Sequence, residues 1–303
     1  MNYIKTLITM ALKEDIGKGD VTTNLLIPSG HRSAASVIAK EPGIICGLPL
    51  LSAIYNKVNR NIRVVFKTKD GARVRPGQVV AIIKGQTRAI LAAERTALNF
   101  LQRLSGIATF TSQFVSRIKG TGVKILDTRK TAPGWRALDK YAVKTGAGFN
   151  HRIGLYDAFL VKNNHLTVLG GVYKLTPDHL WRMWLKKLPV EIEVANLNQF
   201  VLILTLLKQV PIPKASPKAM SRLRRMVIML DNMTPEQIKE AVAIRNKTGR
   251  QADRQTGGQI LLEASGGINL GNVRRYALTG VDYISIGALT HSPKALDISL
   301  RII

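Results

Sequence analysis

From about residue 107 to the C-terminus one unit recurs, and it constrains the fold more than any other feature of the chain. A short apolar run ends in polar residues, and a helical or loop stretch then leads to the next run. The polar ends are Asp127-Thr128-Arg129-Lys130, Lys162-Asn163-Asn164-His165, Glu191 with Glu193, Asp231-Asn232, Glu263-Ala264-Ser265-Gly266-Gly267 and Ser285-Ile286-Gly287. Successive runs start about 20 to 40 residues apart, the length of a strand, a crossover helix and two connections, so parallel strands are expected. Roughly six such units predict a barrel, in which reactive groups sit on the loops where strands end.

The first third has a different grammar. Short strands are expected at residues 35–39, 62–67 and 79–83, separated by Glu41-Pro42-Gly43, Asp70-Gly71 and Arg75-Pro76-Gly77. A helix with an apolar stripe follows over residues 88–104. A break is expected near Ser105-Gly106, and then a second helical pattern to Lys119. The domain border is therefore placed at 1–106 and 107–303, with the C-terminal tail expected to pack back on the first domain. At the N-terminus Ile4, Leu7, Ile8, Ala11 and Leu12 mark one face of an amphipathic helix rather than a signal core. The stretch from Glu14 to Thr23 alternates acids, glycines and hydroxyls, as a capped turn does.

Composition limits the class. With 303 residues and 46% hydrophobic content the chain can fill a core. Cys46 is the single cysteine, which excludes a disulfide framework and cysteine-based metal sites and makes a reducing, cytoplasmic setting the expectation. The apolar stretch at 200–207 is far below the roughly 20 residues of a membrane span. Lys and Arg outnumber Asp and Glu by 45 to 19, a formal charge of +26 that suits polyanionic partners of unspecified kind.

One run carries an electrostatic argument of its own. In Val190-Glu191-Ile192-Glu193-Val194 a period of two puts both carboxylates on one face. Buried, such a pair requires a cation or basic partner and marks a site. The competing reading is an exposed edge strand with a solvated acidic face.

Asp127-Thr128-Arg129-Lys130-Thr131-Ala132-Pro133-Gly134, Lys140-Tyr141-Ala142-Val143 and Asn150-His151-Arg152-Ile153-Gly154-Leu155 together resemble the quinolinate phosphoribosyltransferase family. The resemblance continues through Lys162 to His165, Leu230-Asp231-Asn232, Glu263 to Ile268 and Ser285 to Thr290. It also covers Glu14 to Thr23, Glu94-Arg95-Thr96 and Leu104 to Thr109. It implies an α/β protein: an N-terminal open-faced α/β sandwich and a C-terminal incomplete TIM-like α/β barrel. It further implies transfer of phosphoribosyl from phosphoribosyl pyrophosphate to quinolinate with decarboxylation, giving nicotinate mononucleotide, pyrophosphate and carbon dioxide. Magnesium and a cytoplasmic homodimer, or a higher oligomer, belong to the same implication.

By that resemblance Arg129, His151, Arg152 and Lys162 hold the quinolinate carboxylates, with Thr128 and Lys130 lining the pocket and Arg95 reaching in from the partner subunit. Bidentate arginine suits such carboxylates. Glu193 and Asp231 address the ribose hydroxyls and magnesium, a hard cation that takes oxygen ligands. Lys130, Lys162, Glu193 and Asp231 are the residues expected to act on the reacting groups. Ser265, Gly266, Gly267, Ser285, Ile286 and Gly287 are expected to cradle the 5′-phosphate.

Three departures from the family pattern stand out. Asn163 and Ala195 replace residues that are usually acidic, and residues 208–225 form a basic, proline-containing stretch where a shorter connection is usual. Rival readings are a basic nucleic-acid-binding protein, a Schiff-base lyase using Lys162 or Lys130, and a related transferase acting on another ring. Nucleic acid is not expected as the main partner, since aromatic residues are 6% and no reading motif interleaves them with the basic runs.

Overall fold

The computed structural model describes residues 2–210, 226–256 and 260–303, which form two compact units. The first comprises Met1–Gln113, Lys130–Gly148 and Ala288–Ile303; the second comprises Phe114–Arg129 and Phe149–Gly287. Most of the basic stretch, residues 211–225, lies outside the described residues; Lys208 ends a helix.

The first unit is built on an antiparallel sheet of β1 (Arg32–Ala39), β3 (Arg63–Phe66), β5 (Val79–Gln86) and the C-terminal β12 (Ile298–Ile302), in the order β12-β1-β5-β3. Ala35, Val37, Ala81 and Ile83 lie on one face and are fully buried, while Ser36 and Val80 are buried and Ile38 and Ile82 half-buried, so the other face is covered in part as well. α1 (Asn2–Ile16), α3 (Leu48–Val58) and α4 (Thr87–Arg117) belong to this part of the chain. Ahead of α2 (Val21–Leu26), Asp20 accepts the amide of Thr23 at 2.9 Å, so the acidic turn is a helix cap.

The break expected near Ser105-Gly106 is absent: α4 runs unbroken for 31 residues. The buried stripe Leu98, Leu101, Leu104, Ile107, Ala108 carries the helix through the glycine. A Cβ on Gly106 would overlap the carbonyl of Lys294, so the residue serves close approach rather than termination. On the same unit α5 (Arg136–Thr145) presents Asp139 to Arg103 at 3.0 Å, with Trp135 stacked on Phe100 at 4.5 Å between ring centres.

The second unit holds six parallel strands: β6 (Lys124–Leu126), β7 (Phe159–Val161), β8 (Val190–Val194), β9 (Met226–Asp231), β10 (Ile260–Ser265) and β11 (Tyr283–Ser285). Their order is β6-β11-β10-β9-β8-β7. β6 and β7 follow one another in the chain yet occupy opposite edges, the order of a barrel lacking its closing pair. Phe149 extends the β6 edge through a parallel bridge to Leu126. β8 is not an edge strand: it pairs with β7 and β9, and all five of its residues are buried. The solvated-face reading of its two glutamates therefore fails. α8 (Leu197–Lys208) buries Phe200, Ile203, Leu204 and Leu207.

Candidate active site

The parallel strands deliver the polar residues to one rim. Asp127, Thr128 and Arg129 directly follow β6, and Lys162 directly follows β7. Glu193 is the penultimate residue of β8, and Asp231, Ser265 and Ser285 end β9, β10 and β11. Register ties these ends together: Asp231 is level with Ser265, Val194 with Leu230 and Ser285 with Leu126. Arg95 and Lys130 belong to the first unit, where both are exposed and the Lys130 carbonyl accepts the hydroxyl of Thr290 at 2.7 Å.

Beneath the rim lies a cavity of about 390 Å³, lined by His151, Arg152, Asp157, Glu191, Glu263 and Tyr283 among others. Glu191, Glu263 and Tyr283 each stand two residues before the rim residue of their strand, so this is the next layer down in the barrel. Lys162, Glu193 and Asp231 do not line this cavity; they stand on the rim.

Arg152 is held from two sides. Its Nη1 donates to the Ala158 carbonyl at 3.1 Å. The loop between is closed by Asp157, whose carboxylate accepts the amides of Ile153 at 2.7 Å and Gly154 at 2.9 Å. Its Nε is buried without a hydrogen-bond partner. Burial first, and then the like charge of Arg129, hold this guanidinium below the usual arginine range, while Glu191 and Asp157 oppose the shift. Arg152 thus brings a partly desolvated guanidinium to the cavity wall, the kind of group that meets a carboxylate.

His151 is pinned by its backbone and by its ring. Its amide donates to Asp127 Oδ1 at 2.9 Å, and its Nε2 lies 2.6 Å from Glu191 Oε2 and 4.0 Å from Glu263 Oε2. Asp127 is fully buried. Burial pushes the Glu263 carboxyl up to about 8, with the charge of Glu191 adding to the effect. Among the described residues these three side chains bring candidate metal-donor atoms within 4.8 Å of one another. Two ligands of one tetrahedral ion would stand about 3.4 Å apart. The 2.6 Å separation of His151 and Glu191 is instead that of a short hydrogen bond, and Glu263 stands beside that pair at 4.0 Å.

On the rim, Glu193 is nearly buried and its Oε1 accepts the amide of Asn163 at 3.4 Å. Asp231 Oδ2 accepts the Asn232 side chain at 2.9 Å. The cap of the following helix, Pro235–Thr256, is Thr234, so Asp231 is free of that role. Asn232 adopts φ +55° and donates its amide to the Ser265 carbonyl at 2.8 Å. Gly266, at φ +95°, lies so close that a Cβ would overlap the Asn232 side chain. The acid and the glycine loop thus share one support. The amide of Ile286 donates to the Leu126 carbonyl at 3.0 Å and its side chain is buried. Ser285 is buried beneath the loop and Gly287 is half-buried. Asn163 engages Glu193 through its main chain, and Ala195 donates its amide to Gln199 at 2.8 Å, so neither departure from the acidic pattern disturbs a rim carboxylate.

Sequence reasoning passed over Asp127, Asp157 and Glu263 as site residues. Glu263 was visible as a strand-end acid, but nothing local marked its partner.

The chain matches the family models for the C-terminal domain of quinolinate phosphoribosyl transferase over residues 107–301 and for its N-terminal domain over residues 20–105. It is 39% identical over 296 residues to a nicotinate-nucleotide pyrophosphorylase [carboxylating] of Mycobacterium leprae, covering 97% of this chain and 95% of that protein. It is 39% identical over 311 residues to a chloroplastic protein of the same name from Oryza sativa subsp. japonica, covering 99% and 77%. The solved nicotinate-nucleotide pyrophosphorylase of Francisella tularensis superposes with a TM-score of 0.84 at 36% identity, covering 100% of this chain and 96% of that one.

Proposed function

The chain belongs to the quinolinate phosphoribosyltransferase family, and from that membership we propose that it joins quinolinate to phosphoribosyl pyrophosphate with loss of carbon dioxide, forming nicotinate mononucleotide and pyrophosphate in NAD biosynthesis. The observation that carries this reading is the convergence of the polar strand ends on one rim, over a cavity lined by Arg152 and His151. The fork of Arg152 suits one carboxylate of such a substrate, and Arg129, directly after β6, is proposed to take the other.

In this reading Arg129 and Arg152 clamp the pyridine carboxylates, with Thr128 and Lys162 completing the pocket. Glu193 and Asp231 face the ribose hydroxyls. As pyrophosphate departs the ribose gains positive charge, and carboxylates already in place favour that transition state over the bound substrate. Ser265, Gly266, Gly267 and Gly287 take the 5′-phosphate, helped by glycine backbone that an anion can approach closely. Loss of the adjacent carboxylate as carbon dioxide leaves the bonding pair on the ring carbon, where the positive charge of the neighbouring pyridinium nitrogen stabilises it, and a proton taken up at that carbon from solvent completes nicotinate mononucleotide. The protein orients and desolvates.

Glu193 and Asp231 present the hard oxygen donors that magnesium takes, one or two carboxylates with phosphate and water supplying the rest, so the donor set fits that ion. Bound there, magnesium neutralises the leaving pyrophosphate.

A homodimer with Arg95 donated to the partner's site follows the family pattern. Two features support it: Arg95 is exposed on α4, and Val21, Leu25 and Leu26 of α2 are 82%, 84% and 68% exposed, a patch of the sort that interfaces cover. No helix among the described residues is long and apolar enough to cross a membrane. A cytoplasmic setting is consistent with the single, buried Cys46.

The test is an assay for nicotinate mononucleotide from quinolinate and phosphoribosyl pyrophosphate, run with and without magnesium and repeated with nicotinate as acceptor. Turnover of quinolinate alone, dependent on magnesium, is expected. Turnover of nicotinate in its place would overturn the assignment in favour of a transferase for a monocarboxylate ring.

A further inference from the structure

We infer that Glu191 and Glu263 are positioning residues, which hold His151 from the layer beneath the rim and so fix the segment that aims Arg152 into the cavity. The inference rests on the proposed dicarboxylate substrate and assigns work to two acids that the reaction itself does not use.

The segment from Phe149 to Arg152 takes the place of a missing barrel strand. Its sheet support is on one side: Phe149 donates its amide to Ile125 at 2.8 Å and accepts the amide of Asp127 at 3.1 Å, and the ladder stops there. Beyond that point no strand pairing sets its course. Side chains do so instead. Asp127 takes the His151 amide, and Glu191 takes the ring at 2.6 Å. Glu191 is well suited to it, since its side chain is 8% exposed, and Glu263, 1% exposed, closes off the same ring nitrogen at 4.0 Å. Charge-assisted bonds in such a space are short and hold orientation tightly.

The two glutamates also have an oxygen each, Oε1, buried without a hydrogen-bond partner. Leaving a buried carboxylate oxygen unpaired is costly, and a chain that needed packing alone would place an apolar side chain there. Glu191 has a polar reason to stand at this depth, since its other oxygen meets His151 at 2.6 Å, and Glu263 lies behind the same nitrogen at 4.0 Å. From His151 the effect passes one residue along the backbone to Arg152, whose Nη1 is tied at the far end of its loop to Ala158.

The experiment compares Glu191→Leu, Glu191→Gln and Glu263→Gln with the wild type. KM for quinolinate, KM for phosphoribosyl pyrophosphate, kcat and the ¹⁵N resonances of the His151 imidazole are measured. Loss of a charge-assisted bond predicts that Glu191→Leu raises KM for quinolinate about 10- to 100-fold, with KM for phosphoribosyl pyrophosphate unchanged within about twofold. Glu191→Gln, which keeps an acceptor of the same size, is expected to recover most of that loss, and Glu263→Gln to raise KM for quinolinate less than Glu191→Leu does. A general weakening of the fold would move both KM values together. Equal changes in the two, or unchanged quinolinate KM in Glu191→Leu, overturn the inference. The imidazole resonances keep it distinct from the assignment of function. A wild type inactive on quinolinate would sink that assignment, while a strongly hydrogen-bonded Nε2 that is lost in Glu191→Leu would still support positioning, and an unaltered resonance would end it.

Discussion

Gly106 lies directly against the carbonyl of Lys294: a Cβ there would overlap that oxygen and stand 3.0 Å from the Cα of Ala295. The contact joins the middle of α4 to the C-terminal segment, which then runs into β12. Neither backbone segment can retreat easily, because Leu296 donates its amide to Gln102 at 3.0 Å on the same helix. Gly106→Ala is therefore expected to cost about 3 kcal/mol and lower Tm by roughly 5–10 °C. Calorimetry on the purified variant checks this, and an unchanged Tm would show that the segment yields.

Arg152 and Lys differ in the number of donors they can aim. Arg152→Lys keeps the charge but loses the fork that meets a carboxylate and the bond to Ala158. The lysine variant is expected to lose about 10²-fold in kcat/KM for quinolinate, and Arg152→Ala at least as much. Steady-state kinetics at saturating phosphoribosyl pyrophosphate provide the measurement.

Glu263 makes the stability of the second unit depend on pH. Burial, together with the Glu191 charge, raises its folded carboxyl from 4.5 to about 8. Between those values the folded carboxyl keeps its proton while the unfolded one has lost it. The stabilisation is complete below pH 4.5 and disappears as pH rises through 8. This group therefore makes stability fall as pH rises across that window. Glu263→Gln has nothing to ionise, so the difference in stability between wild type and variant, followed by denaturant titration, is expected to move toward the variant as pH rises.

Cys46 is predicted to be inert. It is fully buried, and burial pushes its thiol up to about 12. Its backbone is clasped by Ser105, whose Oγ accepts the amide at 2.9 Å and donates to the carbonyl at 3.3 Å. A thiol reagent is expected to label the native protein at the rate of global opening, and the denatured protein at once.

Much of the site could be read along the chain because its residues mark strand ends. Asp127-Thr128-Arg129, Glu193, Asp231 and Ser265-Gly266-Gly267 all close apolar runs, and the loop after a parallel strand is where a barrel carries its chemistry. Helix α4 was misread at Gly106 because propensity treats glycine as a breaker. Burial on either side outweighed that local cost. The pairing of the Ile286 amide with β6 was likewise out of reach of the sequence, where its small neighbours suggest open backbone.

Periodicity and spacing were enough to determine the two grammars, the parallel strands and the identity of most rim residues, because each is a property of ten or twenty consecutive residues. The grip on His151 was settled by folding alone. Along the ladder Glu263 is level with Met229 and Glu193 rather than with Glu191, and β9 separates the two strands. Curvature of the sheet brings Glu191 and Glu263 to one imidazole across the interior. Curvature depends on strand twist and side-chain packing summed over the whole unit, and no local stretch of sequence records it.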